Sequence, residues 1–590
     1  MADNEPVLVE AASSAQSEGA TFTLQYKNRF LYSKYNPQKN ILQAVQNLSL
    51  LPGTLVLAFS PALFYGFAEL QEKCRASGSE ILCVEADPAL HAFAQKAMQD
   101  QKLAATLLDL DKNTPAGLDE FFGNAQKKFR RVIRLDLSAG ASLEPDFYKN
   151  FFECAQNIVA AFWKNRLTLV RLGRLYSKNL FKNLIPAAAS PAFEAFERTV
   201  QKPILVCGAG ESLDELTKAA AINGRFFVLA VDAAVPALTS AGIKIDAIAA
   251  TESQWAIEKA YIGLKGAAQM TKARKPKERA ADKNFCQDQD CGPLFLFDLT
   301  SRANLPRRFD KNRAFYFSQF DKNNFLDRLA KNGLLPKIAP PLGSIGLTAT
   351  YLALLLRKDP SVPVCVLGLD FSFSAGRTHA LESAQSKALY INSNRLRPSS
   401  NFAAAFGLGS EKILGKDGRP AWSTKNLLGY AALFKQFFAK AQNLFDLGKS
   451  GLDLGLKRKT LWDMEAAAST DLSLASNPCA NSNLDAVSND SGLANDSSCV
   501  QNARDFLRGE LAGLRALADL LSNGDKSEAR DKSITLDEQI SRALLGREYL
   551  YLHFPDGTEP SLERSFLTRV RSQIDFFAKD IETALAAAQS

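Results

Sequence analysis

Apolar residues along this chain fall into two alternating rhythms, short continuous runs and longer stretches with three-to-four spacing. Thr54–Phe59 (TLVLAF) is a short run, followed by a helical pattern to about Arg75; Ile81–Val84 then ends in Glu85 and Asp87 before another helical segment. Arg131–Leu135 reads as a further strand and Phe147–Leu172 as a long helix. Buried runs alternating with amphipathic stretches predict β-α-β-α units on a parallel sheet. The expectation is an α/β domain over residues 22–190, after a disordered lead-in at 1–21. That lead-in is acidic and rich in small residues, without the basic and apolar regions of a signal peptide.

The rhythm restarts at Pro203. Ile204–Cys207 runs into Gly208-Ala209-Gly210-Glu211-Ser212, Phe226–Val231 ends in Asp232, and Ile245–Ala250 ends in Thr251-Glu252-Ser253. Strands follow at Leu294–Phe297 and Ala314–Phe317, Gly343-Ser344 opens a helix at Ile345–Arg357, and Pro363–Gly368 delivers Leu369-Asp370. Between Lys272 and Asp290 lies a polar, largely basic segment, read as a solvated insertion loop with docking of an acidic partner as the alternative. Beyond about residue 400 the strand signal fades. Thr424–Ala441, Gln501–Leu521, Leu536–Leu550 and Ser561–Ala587 read as helices, and the Ser/Asn/Asp-rich stretch 467–500 reads as a disordered linker. The fold class expected is α/β: two Rossmann-like parallel-sheet domains, at 22–190 and 195–400, and a mainly helical C-terminal region at 401–590.

Composition narrows the function classes. Lys+Arg of 71 against Asp+Glu of 63 leaves a net charge of only +8 over 590 residues, which does not form the basic face of a nucleic-acid binder. The most apolar stretches are interrupted, by Asp232 and by Arg357 for example, so no membrane span is expected. Nine cysteines at irregular spacing, several in strand-like runs and none in a C-x-x-C pair, fit buried thiols in a cytoplasmic protein and give no zinc pattern. Histidine is scarce: His91, His379 and His553.

Three segments carry candidate chemistry. In Val206–Asp214 (VCGAGESLD) a strand turns through two glycines into a helix, leaving backbone N–H groups able to face an anion; glycine would admit a phosphate close to the backbone. Leu213 stands where a dinucleotide fingerprint has its third glycine, and a tight turn without ligand is the alternative. Asp232, after the next strand, is placed to bind ribose hydroxyls. In the N-terminal unit Glu85 holds the matching place, but Ser60 and Pro61 replace the glycines, so this domain is read as having no cofactor. The third segment, Gly368–His379, delivers Asp370 to the sheet edge and carries Arg377, suited to phosphate or carboxylate, and His379, suited to accept a proton near neutral pH. A surface histidine is the alternative.

Taken together, PILVCGAGESLDEL, FFVLAVDAAVPALTSAGIKIDAIAATESQ, GSIGLTATYLALLL and VCVLGLDFSFSAGRTHA resemble the central, pterin-pyrophosphokinase-like (MptE-like) domain of the motility accessory factor (Maf) family of flagellin glycosyltransferases. The resemblance covers roughly residues 195–395; Tyr32–Asn40 and Asp446–Leu456 are also similar to family segments. It implies a sialyltransferase-like central fold and inverting transfer of a nonulosonic acid, such as pseudaminic acid, from a CMP-activated donor to Ser/Thr of flagellin. It further implies donor binding by Gly208, Gly210, Ser212, Asp232, Glu252, Gly343, Ser344 and Thr348, with Arg377 alongside, and proton acceptance by His379 or Asp370. Glu211 departs from the family pattern, which often has Pro there, and the N-terminal loop has lost the family's glycines. Whether a divalent metal assists through Asp232, Glu252 or Asp370 stays open, with no metal the preferred reading. Two other functions compete: an ATP-dependent, Mg²⁺-requiring diphosphokinase acting on a hydroxymethyl pterin, and a non-catalytic flagellin-binding assembly factor.

Overall fold

The structure is a computed structural model that describes residues 5–12, 21–123, 129–216, 222–262, 264, 292–318, 323–396, 398, 402–461, 463, 497–523 and 535–587. The chain divides into two compact units, Met1–Arg171 and Leu172–Ser590.

In the first unit, β4 (Thr54–Phe59) lies between β5 (Glu80–Val84) and β6 (Arg131–Asp136) in a parallel sheet. Every residue of β4 is buried, because both its faces are covered. Leu55, Leu57 and Phe59 pack with Phe122, Tyr148 and Phe151, while Val56 and Ala58 point the other way to Phe67, Leu70 and Cys74. Part of the expected lead-in is ordered: β1 (Val7–Glu10) pairs antiparallel with β2 (Phe22–Tyr26), which pairs with β3 (Arg29–Phe30). The run VLVE, with two β-branched residues, suits an extended edge strand.

The second unit is built on a nine-stranded parallel sheet. Its strands are β7 (Ile204–Cys207), β8 (Phe227–Val231), β9 (Ala247–Ala250), β10 (Leu294–Asp298), β11 (Arg313–Ser318), β12 (Lys337–Ala339), β13 (Val364–Leu367), β16 (Leu444–Asp446) and β17 (Lys457–Arg458), in the spatial order β12-β11-β10-β9-β8-β7-β13-β16-β17. From β7 the chain winds outward to β12, then returns to β13 on the other side of β7. The switch point, where ligands bind in open α/β sheets, is therefore at the carboxyl ends of β7 and β13.

The expectation that strands end near residue 400 is corrected. The hairpin β14 (Ser410–Leu414)–β15 (Pro420–Thr424) follows, and β16 and β17 extend the sheet. Strands two and three residues long carry almost no periodicity, and β14 and β15 mix polar and apolar residues with only Ser423 buried. The helix Ser497–Asn523 begins inside the stretch read as linker and packs against the helix Arg564–Ala586; the rest of that stretch, and the basic segment Lys272–Asp290, lie outside the described residues. No described helix is long and apolar enough to cross a membrane.

Candidate functional site

At the switch point two backbones meet. The Gly208 N–H donates to the Leu367 carbonyl (2.7 Å) and the Gly210 N–H to that of Gly368 (2.8 Å). A Cβ on Gly208 would lie 2.2 Å from the Gly368 oxygen, and Gly368 itself has φ +73°. Contact between the ends of β7 and β13 thus requires glycine at 208 and 368. The Ser212 N–H donates to Asp370 Oδ2 (2.8 Å), its hydroxyl to Asp370 Oδ1, and Ser212 Oγ accepts from the Gly368 N–H (3.0 Å). Three N–H groups of the glycine loop therefore already have protein acceptors. The segment Glu211–Glu215 is a single 3₁₀ turn where a helix was expected. Burial pushes the Asp370 carboxyl up to about 6, against the pull of Ser212 and Lys416.

His379 sits on the following loop, half-buried, with Nδ1 3.0 Å from the Thr378 hydroxyl. Burial lowers its pKa below the ordinary value, while the charge of Glu211 opposes that change. Arg377 lies between Asp214 (2.9 Å) and Glu211 (3.4 Å). The negative charge at position 211 is thereby matched by a cation from the facing loop.

Along the same edge, Asp232 is buried. Its Oδ1 accepts from the Ala233 N–H (2.7 Å), and its Oδ2 has no hydrogen-bond partner among the described residues. Burial, with the charge of Glu252 added, carries it up to about 7. Ser253 Oγ, the Tyr261 hydroxyl and Ser301 Oγ are likewise buried without a described hydrogen-bond partner. Buried polar atoms are almost always satisfied, by water or ligand if not by protein, so these groups, on the loops after β8 to β10, are candidates to hold a water or a ligand group. Two asparagines of the long helix Pro145–Ala188 hold the loops after β9 and β10. Asn179 donates to the Ser253 and Thr300 carbonyls (3.1 Å each), and Asn183 to those of Leu299 (3.0 Å) and Ser301 (2.9 Å). Sequence reading missed them; two asparagines four apart on the buried face of NLFKNLI were the available signal. Glu252 remains accessible, accepting from the Gln254 N–H (2.9 Å).

The helix Ile345–Leu356 brings its N-terminus to this edge, where Gly346 packs on Leu369. Gly343 has φ +69° and meets the ring of Tyr430; Tyr430, Glu252 and Asp298 all lie within electrostatic reach of Tyr176, whose hydroxyl burial pushes up to about 12. Ser344 is the N-cap, but its side chain makes no capping hydrogen bond, and the first turn has no acid. Thr348 is buried within the helix and donates to the Ser344 carbonyl (3.2 Å), so it supports the turn from behind. A second missed feature is the buried Lys416–Asp446 pair (2.5 Å), on the hairpin turn and at the end of β16, close to Gly448 and Ser212. Among the described residues no three His, Cys, Asp or Glu side chains gather as metal ligands would.

In the first unit, Glu85 accepts from the Tyr148 hydroxyl (2.9 Å) and the Asp87 N–H (3.0 Å), and Ser60, at φ +49°, accepts from Ser138 (2.9 Å). The other carboxylate oxygen of Glu85, Oε2, is buried without a hydrogen-bond partner among the described residues, as Asp232 Oδ2 is.

Comparison with known proteins adds three findings. The family described as "6-hydroxymethylpterin diphosphokinase MptE-like" matches residues 176–376. An uncharacterized protein of Treponema pallidum (strain Nichols) is 31% identical over 578 residues, covering 95% of this chain and 93% of that protein. A solved structure described as a MAf glycosyltransferase from Magnetospirillum magneticum AMB-1 aligns over 98% of this chain and 90% of that one, at 13% identity and a TM-score of 0.49.

Proposed function

This chain belongs to the family of the treponemal protein and carries an MptE-like domain, as its motifs implied, and from that premise we propose that it is a cytoplasmic glycosyltransferase. The reaction is transfer of a nonulosonic sugar from a CMP-activated donor to Ser/Thr of flagellin, needed for flagellar assembly and motility. The observation that supports this reading is the half-buried His379 on the loop after β13, on the same sheet edge as the buried polar groups Asp232, Ser253 and Ser301.

Each element has a role on this reading. The donor phosphate sits at the N-terminus of Ile345–Leu356, where Gly343 and an unengaged Ser344 leave N–H groups and the positive end of the helix dipole facing it. Asp232 and Ser253 meet the ribose hydroxyls, and Glu252 lies at the rim. His379 accepts the proton as a flagellin hydroxyl attacks the anomeric carbon, a contribution of ~10²–10⁴ in rate. Asp370, with both oxygens engaged by Ser212, anchors the loop and leaves the base role to His379.

The description of the MptE-like family favours a second reading, diphosphate transfer from ATP to a hydroxymethyl pterin. Mg²⁺ would then be needed, with Asp232 and Glu252 its candidate ligands. Calorimetry separates the two. CMP binding without metal supports glycosyl transfer, and ATP binding only with Mg²⁺ supports the kinase. Flagellin binding with neither nucleotide bound supports the assembly-factor reading.

A further inference from the structure

The loop that carries His379 is gripped from one side. Glu211 accepts the Ser374 N–H (2.6 Å) and lies 3.4 Å from the Arg377 guanidinium. Asp214, in the same 3₁₀ turn, pairs with Arg377 (2.9 Å) and accepts the Leu381 N–H at 3.1 and 3.2 Å. Between them the Ala380 N–H donates to the Ala209 carbonyl (2.9 Å). His379 therefore lies inside a strap, Ser374–Leu381, whose two ends are held by two carboxylates of Glu211–Glu215.

We infer that Glu211 and Asp214 are positioning residues for His379: they fix the strap at both ends, and the Glu211 carboxylate stabilises the imidazolium formed when His379 takes a proton. This deepens the proposed function and rests on its assignment of His379 as the base. The Glu211 carboxylate, which stands where the family often has Pro, is turned towards the loop opposite. Glu211 is the charge that acts on the imidazole; Arg377 is paired with Glu211 and Asp214, so its removal leaves the Glu211 charge uncompensated, and Glu382, beyond the strap, is paired with Lys387 (3.1 Å). A carboxylate near a histidine favours its charged form, and here that effect works against the lowering by burial.

The test is the titration of His379 followed by NMR, which three histidines in the chain make tractable: the His379→Gln spectrum assigns the resonance, and His91 and His553 serve as internal references. Glu211→Gln keeps an oxygen for the Ser374 N–H and removes the charge. The inference predicts that the His379 pKa falls by about 0.5 or more while the reference histidines stay fixed. An unchanged His379 in a folded Glu211→Gln protein overturns it. Should that variant not fold, Arg377→Gln is read instead: removing the cation must raise the His379 pKa, and no rise overturns the inference equally. No step requires turnover, so absence of glycosyl transfer would count against the proposed function and leave this result standing. Where transfer is measured, the acid limb of its pH profile moves with the NMR value, a change that a purely structural role would not produce.

Discussion

Ser212 and Asp370, 158 positions apart in sequence, are joined twice: the amide of Ser212 donates to one carboxylate oxygen and its hydroxyl to the other. Because Ser212 follows β7 and Asp370 follows β13, the pair closes the switch point and makes the two loops one body. The Gly368 N–H completes the arrangement by donating to the same serine oxygen (3.0 Å).

Ser212→Ala therefore leaves both an oxygen of a buried carboxylate and a buried N–H without their partner. Urea unfolding should show a loss of about 1–3 kcal/mol. Ser301→Ala, removing a buried hydroxyl with no described hydrogen-bond partner, should change stability by less than about 0.5 kcal/mol. Equal losses in the two variants would contradict the assignment of Ser212 as the lock.

Glycine substitutions separate contact from conformation. Gly208→Ala drives a Cβ to 2.2 Å from a backbone oxygen that cannot step aside, so the variant should lose the native β7–β13 junction, seen as collapse of the thermal transition. Gly509→Ala, at an exposed position of the helix Ser497–Asn523 with no heavy atom within 4 Å of the new Cβ, should stabilise by about 0.5–1 kcal/mol.

Asp232 predicts a pH dependence. Burial carries its folded-state pKa to about 7 from a reference of 3.8, so between these values the folded protein holds a proton that the unfolded chain has released. The stability contributed by the neutral carboxyl is complete below the lower value and is lost as pH rises through about 7. Above that, the ionised form destabilises the ligand-free protein by up to about 4 kcal/mol. Asp232→Asn should raise the unfolding midpoint most at pH 8.5, less at pH 5 and hardly at all near pH 3, while weakening CMP binding at pH 8.5 and pH 5 alike.

Lys416 and Asp446 are each almost fully buried. Lys416→Met leaves a buried carboxylate whose remaining protein donor is the Gly448 N–H, and should cost about 3–5 kcal/mol at pH 7.5. Burial already raises the pKa of Asp446, so the penalty should shrink on acidification, and Lys416→Met/Asp446→Asn should recover much of it. Denaturant titrations at two pH values check both statements.

How far the sequence foretold this architecture depended on element length and burial. Thr54–Phe59 and Ile204–Cys207 were placed to the residue because fully buried parallel strands are unbroken apolar runs. Leu444–Asp446 was invisible: three residues give no period, and its membership of the sheet is decided by pairing with β13. The site residues divide in the same way. Asp232 and Asp370 could be placed at the carboxyl edge because each follows a strand end, and His379 on the loop after the second of them. The bonds of Gly208, Gly210 and Ser212 across to β13 could not, because a glycine admitting a phosphate and one admitting another backbone look alike in sequence. Lys416 belongs to a turn of a hairpin of mixed polar and apolar residues, where nothing local distinguishes a buried lysine from a solvated one.

The central claim is tested most directly by mixing the purified protein with flagellin and a CMP-activated nonulosonic acid and following flagellin by intact-mass and peptide mass spectrometry. The account predicts a discrete mass increment on Ser/Thr peptides, formed without added metal and slowed at least ~100-fold in a folded His379→Ala variant. No increment with the wild-type protein, or an undiminished rate in His379→Ala, would contradict it.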